Sequence, residues 1–440
     1  MKTKLVARVA IRAAAVRAAM VLASMTVCPQ RAFCDLAVAW GYNGSGTVGN
    51  GTAYNNIVTP TFVSTLDNHV TSVVAGPNFS LAIQDGALYS WGSYQSGELG
   101  DGLIGTNVNR TSPSAVGSLS NGVSAIAVGL SYGFAIQNGA LFGWGRNDQG
   151  EVGDGTSGAG NMRPTPIAIP SLSSGVTAIA ASHYFETSYV PFSLAIQNGA
   201  VFAWGSNVYG VLGLGAAQNT SRISPAAVTS LSSGVTAIAA GSTHAMAVMN
   251  GGVYTWGSDI AGELGDSGGD DGSYSSRASP FPVPSLSSGV TAIAAGGNFS
   301  LAVKDGNVYA WGIADSVGLG ADFFDNNSFS PVPALVPGLA SITSVAAGER
   351  AAYALSSDGS LWVWGDTDYG DLGLGFATFG IEASPVHLLP PPGYIYTSIS
   401  ARGDTASATL APIPEPATPC LLGLGAVTLF GRRRGARTTH

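Results

Sequence analysis

A Trp-Gly pair recurs seven times in this chain: Trp40-Gly41, Trp91-Gly92, Trp144-Gly145, Trp204-Gly205, Trp256-Gly257, Trp311-Gly312 and Trp364-Gly365. Successive spacings are 51, 53, 60, 52, 55 and 53 residues. A period of this size confines the fold to a propeller, a solenoid or a similar array, because each repeat is one unit that buries its apolar face only against a neighbour. The rest of each repeat says which kind. In the copy that ends at Trp91, Thr71–Ala75 reads as a strand. Phe79-Ser80-Leu81-Ala82-Ile83-Gln84 alternates apolar and small residues, as a half-buried strand does. Asp85-Gly86 then separates it from Ala87-Leu88-Tyr89-Ser90-Trp91. Two-residue Asp-Gly or Asn-Gly loops suit a type I′ hairpin turn. The same signal recurs at Asn138-Gly139, Asn198-Gly199, Asn250-Gly251, Asp305-Gly306 and Asp358-Gly359.

After Trp91, glycine falls at +1, +6, +9 and +11, and the pattern repeats after Trp144 and Trp364. These glycines predict a tight loop. No phosphate loop is indicated, since none is followed by Lys-Ser or Lys-Thr at the required spacing. Val317 stands at the +6 position after Trp311, which predicts a distorted loop there. A segment beginning near a proline follows (Pro60–Val63, Pro113–Val116, Pro166–Ile169, Pro225–Val228, Pro333–Val336, Pro385–Leu388) and reads as an edge strand, giving four strands per unit. The ends complement one another. Leu36–Trp40 supplies only a Trp-Gly strand, while Ile399–Thr409 supplies the preceding strands and lacks one. One unit assembled from both ends removes the open edge of a linear array. The expected fold is all-β, a single seven-bladed propeller over 35–411 closed by pairing of N- and C-terminal strands.

Charge limits the partners. Segment 35–413 carries eight Lys or Arg against 25 Asp or Glu, a net charge of −17. Such a body repels nucleic acid and anionic membrane surfaces. Cys28, Cys34 and Cys420 all lie outside it, so it has neither a disulfide framework nor a Cys-based metal site.

The termini read as addresses. Residues 1–34 hold six basic residues and no acid, a short apolar run from Ala18 to Val27, and Ala32-Phe33-Cys34 before Asp35. This is the order of an export signal, with an Arg/Ala-rich organellar transit peptide as the alternative. At the other end, Pro414-Glu415-Pro416 precedes the apolar run Cys420–Phe430 and then Arg432-Arg433-Arg434. This tail, 412–440, resembles the PEP-CTERM sorting signal of exported bacterial proteins. The resemblance implies transient inner-membrane anchoring through a short helix, with the Arg cluster on the cytoplasmic side. It also implies cleavage near Pro414–Pro416 by an exosortase-type enzyme.

The repeat itself resembles the regulator of chromosome condensation repeat: Ile-Ala-Ala-Gly, an apolar Ser-Leu-Ala-Val strand, Asp/Asn-Gly, Tyr-x-Trp-Gly and Gly-x-Leu-Gly, over about 35–411. The eukaryotic founder of that family is a nucleotide exchange factor for a small GTPase and binds chromatin. The fold and the general role of a binding platform carry over to this chain. Exchange activity does not, because the loops that would carry it have no match here.

No catalytic set can be ordered from spacing. The body has four histidines, His69, His183, His244 and His387, without metal-ligand spacing. His244 occupies the place of Phe79 and Phe299 and reads as structural. Asp266, Asp270 and Asp271 form an acidic loop that reads as solvated more readily than as a calcium site, and Asp322 and Asp325 form a similar one. No cofactor is expected. The 60-residue spacing reflects extra residues in His183–Pro191, with His183, Tyr184, Phe185 and Tyr189 as candidate partner contacts, because insertions in repeat folds collect on one face. The functional expectation is an exported, envelope-associated binding module without covalent chemistry, recognising a protein or glycan. An inhibitor of a secreted hydrolase is the alternative, and a propeller-mouth enzyme ranks behind both.

Overall fold

Six-residue stretches of alternating apolar and small residues, separated by Gly-containing turns, form strands that pair with their sequence neighbours. In the computed structural model the described residues are 35–413 except 106–108, 184–189, 216–219, 268–275, 314–317, 319–328 and 379. They hold twenty-eight strands, β1 to β28 in chain order, in seven four-stranded antiparallel sheets. Blade I runs outward from β3 (Val70–Ala75) through β4 (Phe79–Gln84) and β5 (Ala87–Gly92) to β6 (Arg110–Ala115). Blades II to VI repeat this order. Blade VII closes the ring as expected. β27 (Tyr394–Arg402) and β28 (Thr405–Pro412) are followed in space by β1 (Leu36–Gly41) and β2 (Ile57–Phe62), and β1 pairs with β28 from Leu36↔Leu410 to Gly41↔Thr405.

The core lies between blades. Each of the seven apolar clusters joins two neighbouring blades and contains one Trp-Gly tryptophan, and all seven of these tryptophans are fully buried. Every such indole donates its N–H across the junction where the acceptor is described, for example Trp144 Nε1 to the Glu98 carbonyl at 2.7 Å and Trp256 Nε1 to the Val211 carbonyl at 2.7 Å. The tryptophan thus adds a specific bond to its large buried area.

Two expectations need correction. Five hairpins are type I′, with φ of 52° at Asp85, Asn138, Asn198, Asn250 and Asp305 and positive φ at the glycine that follows. The sixth is one residue longer: Leu355 pairs with Leu361, Ser356 N donates to the Ser360 carbonyl, and only Gly359 has positive φ. This is a three-residue loop with glycine at its left-handed position. The outer strands also begin upstream of their prolines. Pro60 lies inside Ile57–Phe62 and Pro113 inside Arg110–Ala115, at the point where the ladder to the Trp-Gly strand breaks register. Proline is placed there because it has no N–H to give. The expected distortion after Trp311 falls outside the described residues.

Candidate functional site

Antiparallel order assigns the connections to two faces. One carries the type I′ hairpins and 3-10 turns such as Pro170–Leu172, whose Leu172 is buried. The other carries the turns from innermost to second strand and the Gly-rich loops after Trp-Gly. These loops are fixed by side chains that the sequence repeats. In blade II, Asn147 Oδ1 accepts from Val152 N (3.1 Å) and Glu151 Oε2 from Gln149 N (2.7 Å). Gly153 sits at φ +83°, where a Cβ would come within 2.6 Å of Trp204 Nε1, so glycine is required. Asn43, Asn207 and Asp259 make the same cap to Val48, Leu212 and Leu264.

The centre of this face is the mouth of the channel between the seven innermost strands. A cavity of about 170 Å³ lies there, lined by small apolar residues such as Ala180, Ala239 and Ala346, with Arg402 at its end. Arg402 occupies a position that is glycine in five other blades. A Cβ at Gly296 would strike the Phe299 ring and one at Gly241 the His244 ring. In blade VII the residue three positions on is Thr405, which leaves room for the arginine. His183 and His244 are buried beside this mouth. His244 Nε2 shares a hydrogen bond with Ser300 Oγ at 3.0 Å, which fits the structural role expected for it, and burial holds its pKa down to about 3. Burial, then the charges of Arg402 and His244, hold His183 well below the ordinary histidine range. Tyr132 donates from its hydroxyl to the Phe192 carbonyl at 2.9 Å, joining blades II and III at the same level.

Toward the closing blade the face turns acidic. Burial and the neighbouring Asp366 raise Asp404 to about 6, and burial with Asp368 raises Asp366 to about 6, against the opposing charge of Arg350. Tyr42 and Tyr369 meet edge to face above them at 5.6 Å.

The structure brings His183 and His244 toward one another. His69 instead pairs with Asp85 at 3.1 Å on an exposed surface, and His387 lies over Trp362 at 5.2 Å. Asp266 is engaged by Arg277, and among the described residues no group of three or more His, Cys, Asp or Glu could hold a metal ion. Tyr184, Phe185, Tyr189, Asp270, Asp271, Asp322, Asp325 and the tail residues Pro414, Glu415, Pro416, Arg432, Arg433 and Arg434 lie outside the described residues. Among the described residues no helix is long and apolar enough to cross a membrane. Arg402 was not singled out from the sequence. The available signal was Ala401-Arg402-Gly403-Asp404 standing where Ala295-Gly296-Gly297-Asn298 stands in blade V.

The regulator of chromosome condensation (RCC1) repeat matches residues 39–83, 85–136, 138–186, 198–248 and 250–303, and a second description of that repeat matches 342–371. The chain belongs to the RCC1 repeat family. Each of the first five matched units begins at or near a Trp-Gly strand and runs into the next blade, so one RCC1 repeat staples two blades covalently, whereas 342–371 lies within blade VI. The PEP-CTERM protein-sorting motif matches residues 412–434 and points to export and association with the cell envelope. The chain is 29% identical to the ultraviolet-B receptor UVR8 of Arabidopsis thaliana over 78% of its own length and 75% of that protein. It is 31% identical over 77% of its length to the E3 ubiquitin-protein ligase HERC2 of Mus musculus, of which it spans only 7%. Among solved structures, Prp20p from Saccharomyces cerevisiae superposes with a TM-score of 0.72 at 20% identity, covering 87% of this chain and 92% of that one. Human WBSCR16 gives 0.71 at 20% identity over 86% and 99%. These two likenesses concern the fold alone.

Proposed function

We propose that this RCC1-repeat propeller is an exported, envelope-associated binding module that recognises a protein or glycan partner through its Gly-rich loop face and performs no covalent chemistry. The observation that carries this reading is the rigid construction of that face. Its loops are held by repeated side-chain caps to the backbone, and a preorganised surface spends less free energy on ordering when it binds. Prp20p is described by its binding to Gsp1p and histones, and UVR8 as a receptor. Only recognition in general carries over from them, since a body of net charge −17 is unsuited to charge-driven nucleic-acid binding.

In this reading residues 1–34 are a signal peptide, 35–411 the propeller, and 412–440 a tail that anchors the protein at the inner membrane until an exosortase-type enzyme cuts near Pro414–Pro416. The intact mass of the mature protein from its native envelope tests the processing. Ends near Asp35 and Pro414–Pro416 are expected, and a mature form that keeps Arg432–Arg434 removes it. For recognition, the full chain is cross-linked in the envelope beside a variant with 184–189 replaced by a short Gly-Ser link. Partner capture is expected to drop in the variant while the body stays folded. Unchanged capture removes Tyr184, Phe185 and Tyr189 as contacts.

A further inference from the structure

Arg402 is the only charged residue on the seven innermost strands. Its side chain reaches from blade VII across the channel mouth to blade IV, where Nη1 donates to the Ala240 carbonyl at a long 3.4 Å. A guanidinium has five N–H donors in a planar fork. Among the described residues no carboxylate lies within ion-pair distance of this one, whereas Arg110, Arg146, Arg163 and Arg277 are all paired.

The groups around it share the same deficit. His183 is 2% exposed, and neither of its ring nitrogens makes a hydrogen bond of good geometry, although the ring faces the Ala240 carbonyl. Ser242, two residues beyond Ala240, is fully buried with its hydroxyl unpartnered. His244 Nδ1 is also without a partner. A part-buried cation left without a carboxylate is unfavourable, and the unsatisfied polar groups of buried Ser242 and His183 add to that cost. The site therefore holds a positive charge and spare hydrogen-bonding groups beside an open cavity, and among the described residues it lacks an anion.

We infer that the channel mouth is a binding site for a small monocarboxylate, taken bidentate on the Arg402 fork with His183 and Ser242 donating to it. The planar fork matches a carboxylate. The cavity of about 170 Å³ has room for about five waters at ~30 Å³ each, enough for a small acid or one acidic side chain. The inference stands on this geometry and does not depend on the loop-face reading.

The test titrates the full-length protein with sodium acetate at constant ionic strength, with chloride as control, following the His183 and His244 ring signals by NMR. A saturable shift is expected, weakened about tenfold or more in Arg402→Gln, which removes the charge-assisted pair. Arg402→Lys keeps the charge without the fork and is expected to bind several-fold more weakly than wild type, which keeps the test decisive should the Gln variant fail to fold. A Gly-Glu-Gly peptide forms a second arm. Binding tighter than acetate assigns the site to a partner's acidic side chain, and weaker binding assigns it to a free acid. No saturable acetate shift would mean that the orphan donors are met by water alone and overturns the site. So does equal affinity in either Arg402 variant, or a preference for inorganic phosphate.

Discussion

The junction between blades II and III and the junction between blades VI and VII solve one problem with different means. At the first, the Glu151 carbonyl accepts from Trp204 Nε1 at 2.8 Å and from Ser193 Oγ at 3.1 Å. The Glu151 carboxylate turns back on its own loop, and Asn147 caps the far end of that loop. At the second, the Asp371 carbonyl accepts from Trp40 Nε1 at 2.7 Å, but Ala406 stands where Ser193 would be, and the second donor is the Tyr353 hydroxyl from within blade VI. Thr367 replaces the capping Asn and donates to the Gly380 carbonyl instead. Asp371 Oδ1 is buried without a partner, and burial together with Asp404 and Asp366 pushes its carboxyl well above the usual range. Interior junctions are built from a nearly repeated sequence. The closing junction meets partners 331 residues apart, and the β1–β28 ladder that holds its tryptophan strand is no longer than the β12–β13 ladder of blade III.

The largest expected effect comes from removing the indole on each side of this comparison. Trp204→Ala and Trp40→Ala should each cost about 3–5 kcal/mol, the range for deleting a large aromatic from a packed core. Their unfolding should differ in kind. Trp204 lies inside the covalent array, so its loss lowers the whole transition. Trp40 lies on the strand that closes the ring, so its loss should release residues 35–63 first. Limited proteolysis with mass mapping reads the difference, and identical cleavage patterns in the two variants would show that the closing blade is no more separable than an interior one.

A smaller effect, on the order of 1–2 kcal/mol at pH 7.5, is expected at the acidic seam. Asp404 and Asp366 are both raised to about 6 from ordinary values near 3.8. Between those limits the folded state binds more protons than the unfolded chain. Their contribution to stability is therefore greatest at low pH and is lost as pH rises through about 6. His183 and His244 act oppositely, because both are held neutral in the folded state while the unfolded chain protonates them near 6.5. The informative quantity is the difference between Asp404→Asn and wild type in thermal melts. The variant should be the more stable at pH 7.5, with the gap about halved at pH 5 and closed only below the ordinary value of 3.8. A gap that stays constant across this range would show that Asp404 is not a source of repulsion.

The ring architecture was legible because its signals are local and repeated. Asp-Gly and Asn-Gly turns, buried tryptophans and glycine at fixed offsets each report their own neighbourhood, and seven copies average out the drift. Even the closing blade could be read, since Leu36–Trp40 lacks what Ile399–Thr409 supplies. What stayed hidden depends on contacts between copies. Ser357 lengthens one hairpin by a single residue, which an Asp-Gly signal alone does not reveal. Arg402 is one substitution in a weak repeat, and its meaning needs Thr405 to make room for it and Ala240 across the channel to meet it. The acidic seam draws Asp366, Asp371 and Asp404 from two blades, and no spacing along the chain announces that meeting.

The finest test of the comparison is Asp371→Glu. Three other blades place glutamate at this position, and each turns its carboxylate onto the amide two residues upstream: Glu98 onto Ser96 at 2.5 Å, Glu151 onto Gln149 and Glu263 onto Ala261, the last two at 2.7 Å. Aspartate is one methylene shorter and leaves Oδ1 orphaned. The longer side chain should reach the Tyr369 amide and draw the charge away from Asp366 and Asp404. A gain of about 1 kcal/mol in chemical denaturation is expected, the usual net value of one hydrogen bond. In the same experiment Glu151→Asp should lose a similar amount, making an interior junction resemble the closing one. If both substitutions destabilise, the aspartate is fitted to its surroundings, with the Tyr353 hydroxyl occupying the space a longer side chain needs. The closing junction would then be a separate solution in its own right, complete without the glutamate clamp.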